Sequence, residues 1–143
     1  MAETIRICTF LLEGRTFAVP VAEVREVVKD LETTPVPLAP PAVLGLAHLR
    51  GQIATAVDLR HRLGLTARRQ GDQSVNVVVQ GAEGLVCLSV DEVGDVIDVP
   101  QGVVERPPDT LRPAVREVVR GICKLEDELV LLLDTERAVD PSP

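Results

Sequence analysis

GLAHLRGQIATAVDL, residues 45–59, falls on GICKLEDELVLLLDT, residues 121–135, without a gap when the chain is slid by 76 positions. Gly45 meets Gly121, Leu49 meets Leu125, Ile53 meets Leu129 and Asp58 meets Asp134. A slide of 69 lays EVREVV (23–28) on EVGDVI (92–97) and places Phe17 and Val19 on Val86 and Leu88. The offsets differ by 7 (76 − 69), and a longer joining segment in the second half absorbs the difference. Two blocks in the same order mark an internal repeat. Each unit reads as a hairpin, an EVxxVV-type turn, a Pro-rich connector, a second hairpin and a short capped helix. The half-repeats run over about residues 5–64 and 74–139, intertwined within a single domain spanning 1–143, with 140–143 as a tail.

The local pattern makes those units β-rich. IRICTFLLEGRTFAVPV reads as a hairpin with its turn at Glu13-Gly14-Arg15 and a second strand from Thr16 to about Val19. VNVVVQ, LVCLSV, VGDVIDV, VRGICKL and LVLLLD are further strands. VAEVREVV (21–28) fits a short helix or a return strand equally well. TTPVPLAPPAVLG (33–45) holds four prolines and reads as an extended connector, and ERPPDTLRP (105–113) as a second one. Many short strands at close spacing imply an all-β chain. With the repeat, they imply two small β-barrels sharing one polypeptide.

Composition narrows what such a fold can do. The 143 residues are 45% hydrophobic and 26% charged, which suits a globular domain with a sizeable core. With two Phe and no Trp or Tyr, that core is aliphatic. A formal charge of −7 argues against nucleic acid or an anionic membrane as partner, because both need a basic footprint. Cys8, Cys87 and Cys123 lie far apart in apolar runs and fit no metal spacing, so they read as buried thiols in a reducing cytosol. The N-terminus lacks the pattern of a signal peptide, and no apolar run reaches the ~20 residues of a membrane span. A cytoplasmic location without membrane insertion is expected.

Within HLRGQIATAVDLRHRLG (48–64), Leu49, Ile53, Val57 and Leu59 are expected on the core face. Arg50, Gln52, Ala54, Ala56, Asp58 and Arg60 then fall on the other face. Asp58 precedes LRHRL as a helix N-cap, with Gly64 just after it, and Asp134 heads TERAV in the same way. His48 and His61 have no nucleophile or second metal ligand near them in sequence. No phosphate-binding or nucleophile-elbow motif occurs. No catalytic residue, cofactor or metal site is therefore expected. Arg50 stands apart, because its repeat partner is Glu126 and the fold does not demand Arg there. It could pair with Asp58 or Glu26 as a surface salt bridge. Equally, its planar fork could bind a partner, since Gly51 beside it leaves room for close approach.

PLAPPAVLGLAHLRGQIATAVDLRHRLG resembles the signature of the CheW family, the adaptors of bacterial chemosensory arrays. That signature is a Pro-rich connector, Gly-Val or Gly-Leu, NLRG, an apolar strand, VDLR and a closing Leu-Gly. LVCLSVDEVGDVIDVP is similar to the family's VDEVxxV segment, and the opening and closing hairpins match in order, from about residue 5 to 139. The resemblance implies two five-stranded SH3/OB-like barrels with short capping helices and no enzymatic activity. It implies a bridge between chemoreceptor cytoplasmic tips and the regulatory domain of a CheA-type histidine kinase, with recruitment to receptor arrays. Arg50 would centre the receptor contact. Val24, Glu26, Val27, Val93 and Val96 would line receptor- or kinase-binding surfaces, and Gly45 and Gly51 would hold the loop shape. His48 departs from the usual Asn, and Thr55 and Ala56 stand where Pro and Ile or Val are usual. Those departures fit an adaptor for a non-flagellar system or an accessory member that keeps one partner; a detached regulatory domain of a kinase is a further alternative. An OB-like nucleic-acid binder would need exposed aromatics and a basic groove, which this composition lacks.

Overall fold

The computed structural model describes residues 3–66 and 73–139, so the 140–143 tail lies outside the described residues. Strands β1 (Thr4–Leu12) and β2 (Arg15–Pro20) form an antiparallel hairpin. Its turn residues Glu13 and Gly14 both take positive φ, 50° and 76°. A 3₁₀ turn (Val21–Glu23) leads into β3 (Val24–Lys29), so the stretch that fitted helix or strand is chiefly strand. After the Pro-rich connector come the hairpin β4 (Val43–Leu49) and β5 (Gln52–Asp58), and helix α1 (Leu59–Arg62). The second half repeats this order with β6 (Val75–Gly81), β7 (Gly84–Val90) and β8 (Glu92–Pro100). It continues through β9 (Val104–Glu105), helix α2 (Pro113–Arg116), β10 (Val119–Lys124), β11 (Leu129–Leu133) and helix α3 (Thr135–Val139). Pro113 opens α2 at the first helical position, where a missing N–H costs nothing.

The strands form two sheets, in the orders β8-β1-β2-β11-β10-β9 and β3-β6-β7-β5-β4. Each sheet takes the leading hairpin of one half and strands from the end of the other, joined by the parallel pairs β2–β11 and β5–β7. The chain crosses between sheets at Val21–Glu23 and again at Asp91, between β7 and β8. The first sheet has six strands where a five-stranded unit was expected. The sixth is the two-residue β9 at the head of the second connector, paired with Ile122 and Cys123. Its counterpart in the first connector is a single bridge between Thr34 and Leu46.

Three apolar clusters hold the sheets together. The largest lies between them and draws Phe10, Phe17 and Val19 from the first, and Val57, Val77 and Leu88 from the second. A small core inside the first sheet holds Ile7, Ala18, Cys123 and Leu132. Another inside the second holds Ala54, Ala56, Val78 and Cys87. One cysteine is buried in each cluster, and all three thiols are free.

This arrangement corrects the expected face of β5. Ile53 is 68% exposed, whereas Ala54 and Ala56 are fully buried. Strand β5 passes between two cores, so Val57 faces the shared core while Ala54 and Ala56 face the narrow interior of their own sheet. Leu49 packs into that interior as well. Small side chains sit inside because a tightly curled sheet leaves little room there. A simple alternation of apolar outward from one face cannot register a strand with two buried faces.

Candidate partner-binding surface

The turn between β4 and β5 is the two-residue pair Arg50-Gly51, with φ of 49° and 79°. Two left-handed residues in succession are the mark of a type I′ hairpin, whose first position usually carries Asn, Asp or Gly. Arginine at that position is strained, and its side chain is 78% exposed. A Cβ added at Gly51 would meet nothing within 4 Å, so the space beside Arg50 is open.

Glu26 orients the guanidinium. Arg50 Nε donates to both oxygens of Glu26, at 2.8 and 3.0 Å. Glu26 lies on β3 and Arg50 beside β4, the two edge strands of the second sheet, so the pair spans the opening between its edges. Glu26 is only 21% exposed, at the rim of the core that contains Cys87. Burial, with the Glu26 charge adding to it, pushes the Cys87 thiol up to about 11. Asp58, the other candidate partner of Arg50, accepts the backbone N–H of Arg60 at 3.1 Å at the start of α1. Asp134 accepts the N–H of Arg137 at 3.3 Å. Gly64 takes φ of 72° just after α1.

The four candidate valines divide by exposure in repeat-related pairs. Val24 and Val93 pack against the shared core, whereas Val27 and Val96 are exposed. β3 and β8 are edge strands of different sheets, so the exposed pair does not form one patch on a single sheet. Gly45, with φ of 151°, is where the connector passes closest: an added Cβ would lie 2.4 Å from the Thr34 carbonyl oxygen. Thr34 both donates to and accepts from the Leu46 backbone there, at 2.7 and 2.9 Å.

Several surface residues lie outside the sequence expectation. Val36, Leu44, Leu46 and Ile53 are exposed around β4, and directly paired His48 and Ile53 share its outer face. Leu38 is fully exposed at φ of 62°, in a turn closed by the Ala39 N–H on the Val36 carbonyl. Pro37 suits the first corner of such a turn, but a leucine after it carries no sequence signal for the left-handed second corner. The equivalent hairpin of the second half presents Glu126 where Arg50 stands, and exposed Leu129 where Ile53 stands. Beside it an apolar cleft of about 300 Å³ is lined by Leu111, Ile122 and Leu131, with the Glu105–Lys124 ion pair among its lining residues. The two hairpins thus share an aliphatic position and carry opposite charge.

Among the described residues no cluster of His, Cys, Asp and Glu could hold a metal ion. No described helix is long and apolar enough to cross a membrane.

A family model described as the CheW-like domain matches residues 6–141. The chain is 32% identical over 136 residues to the chemotaxis protein CheW of Rhizobium meliloti, covering 95% of this chain and 87% of that protein. It is 27% identical over 135 residues to the chemotaxis protein CheW of Bacillus subtilis, covering 94% and 86%. The crystal structure of the scaffolding protein TtCheW from Thermoanaerobacter tengcongensis superposes with a TM-score of 0.85 at 28% identity, covering 96% of this chain and 92% of that one.

Proposed function

We propose, from the premise that this chain belongs to the CheW-like domain family, that it is a non-enzymatic chemosensory adaptor. It joins the cytoplasmic tips of chemoreceptors to the regulatory domain of a CheA-type histidine kinase and is recruited with them into signalling arrays. Relatives named as chemotaxis proteins and a structural neighbour named as a scaffold support this role.

The observation that carries the receptor half of the proposal is the Arg50–Glu26 pair. A single nitrogen of the guanidinium makes both bonds to Glu26, and most of the side chain stands in solvent. The terminal nitrogens of that fork suit carbonyl or carboxylate acceptors on a partner. Exposed Val27, Leu46 and Ile53 on the neighbouring strands supply aliphatic surface. An Arg beside such a surface fits the amphipathic face of a helix, which is the form of a receptor tip. One such contact is small, and many copies in an array supply avidity.

The test is capture of a receptor signalling fragment by the wild-type chain and by Arg50→Glu. The variant keeps its thermal transition and loses capture. Unchanged capture would remove Arg50 from the receptor contact. Parallel capture of a kinase regulatory domain tests the second partner.

A further inference from the structure

Two motif residues remain unused by the adaptor surface, Arg60 of VDLR and Asp91 of VDEV, and the fold brings them together. Arg60 Nε donates to Asp91 Oδ1 at 2.8 Å, and Arg60 Nη2 donates to Asp91 Oδ2 at 2.6 Å. The same Oδ2 accepts the backbone N–H of Glu13 at 2.8 Å, and the Asp91 N–H donates to the Leu11 carbonyl at 3.1 Å. Only 17% of the Arg60 side chain and 20% of Asp91 are exposed.

The location gives this pair its meaning. Arg60 sits on α1, directly after β5, which begins at the Arg50 turn. Asp91 is where the chain leaves the second sheet and enters β8, the edge strand that carries Val93 and Val96. Glu13 lies in the β1–β2 turn of the first sheet. Three pieces of chain from both sheets therefore meet on one carboxylate. The aliphatic core between the sheets supplies cohesion, but apolar burial is non-directional. A two-point guanidinium–carboxylate contact sets both distance and angle. At the other crossing a single hydrogen bond, from the Thr135 hydroxyl of α3 to the Glu23 carboxylate, joins the sheets.

We infer that Arg60 and Asp91 are positioning residues that hold the Arg50 turn and strand β8 in a fixed relative orientation, so that one molecule engages two partners at once. The orientation itself follows from geometry; the link to two partners rests on the adaptor reading. Arg60 and Asp91 touch neither partner and act through the frame. Weakening the clamp leaves each binding surface intact and degrades their combination.

The test uses the full chain with nitroxide labels at Ile53→Cys and Leu129→Cys, exposed positions on opposite sheets. The native cysteines are buried. Electron–electron distance measurements are made on this background and with Asp91→Asn or Arg60→Lys added. Arg60→Lys keeps the charge and removes the fork, so it decides the question if Asp91→Asn fails to fold. The clamp variants give a broadened or shifted distance distribution, and wild type a single narrow one. An unaltered distribution in a folded Arg60→Lys chain would overturn the positioning role. The second readout, on unlabelled chains that keep Ile53 and Leu129, is binding of a receptor fragment and a kinase regulatory domain, singly and together. Single affinities stay within a few-fold of wild type, and joint assembly falls by more. Joint assembly equal to wild type despite a broadened distribution would overturn the two-partner link. Failure of wild type to bind both would overturn the adaptor reading and leave the distance result standing.

Discussion

Glu26, on one edge strand of the second sheet, takes both of its hydrogen bonds to Arg50 from a single guanidinium nitrogen beside the other edge strand. The pair fixes the stem of a largely exposed side chain. Because the contact is solvent-facing, it contributes little to folding. Arg50→Ala is expected to change unfolding free energy by at most about 1 kcal/mol in urea titration, while receptor-fragment capture is lost. A large stability loss would make the pair a structural contact first.

Asp58 is the opposite case. It is buried, and its carboxylate caps the first turn of α1 through the Arg60 N–H. Asp58→Ala should cost about 0.5–2 kcal/mol in the same titration. Its isolated affinity for a receptor fragment should stay close to wild type once the protein is folded.

Gly45 is constrained by backbone, which cannot move aside as a flexible side chain would. A methyl group there meets the Thr34 carbonyl oxygen at 2.4 Å, at a φ of 151° that L side chains rarely adopt. Gly45→Ala should destabilise by about 1–3 kcal/mol. It should also raise hydrogen exchange at the Thr34 and Leu46 amides, which now bond across that gap. Gly51→Ala meets no atom within 4 Å, so its cost is limited to the left-handed backbone.

The buried thiols predict an alkaline limit. Cys87 ionises at about 11 in the folded chain against 9.0 for a free thiol, and burial raises Cys8 and Cys123 as well. Between those values the unfolded chain releases protons that the folded chain keeps. Stability is therefore intact below about 9 and declines as pH rises toward about 11. Urea midpoints across that range measure the decline. Thiol reagents at neutral pH should label the folded protein slowly and the unfolded protein at once.

Much of the surface was legible from the chain alone because its signals are local. The repeat pattern and the isolation of Arg50 follow from residue types and spacing; the Arg50-Gly51 turn does not, since alternation places Arg50 on the face of a continuous strand. The register of β5 was not legible. Ile53 reads as core by alternation, yet it is exposed because β5 has one core on each face and Ala54 and Ala56 occupy the tighter one. Leu38, hidden in a Pro-rich run, also needed the folded turn to reveal it.

By itself the sequence determined two related β-rich units, an aliphatic core, an acidic surface and one arginine that the repeat leaves unexplained. These depend on periodicity and composition, which any local stretch carries. Only the tertiary structure decided which residue holds Arg50, which valines are exposed, and that Arg60 and Asp91 meet 31 positions apart in sequence. Those outcomes depend on strands exchanged between the two halves, and the exchange brings together residues whose distance along the chain says nothing of their distance in space.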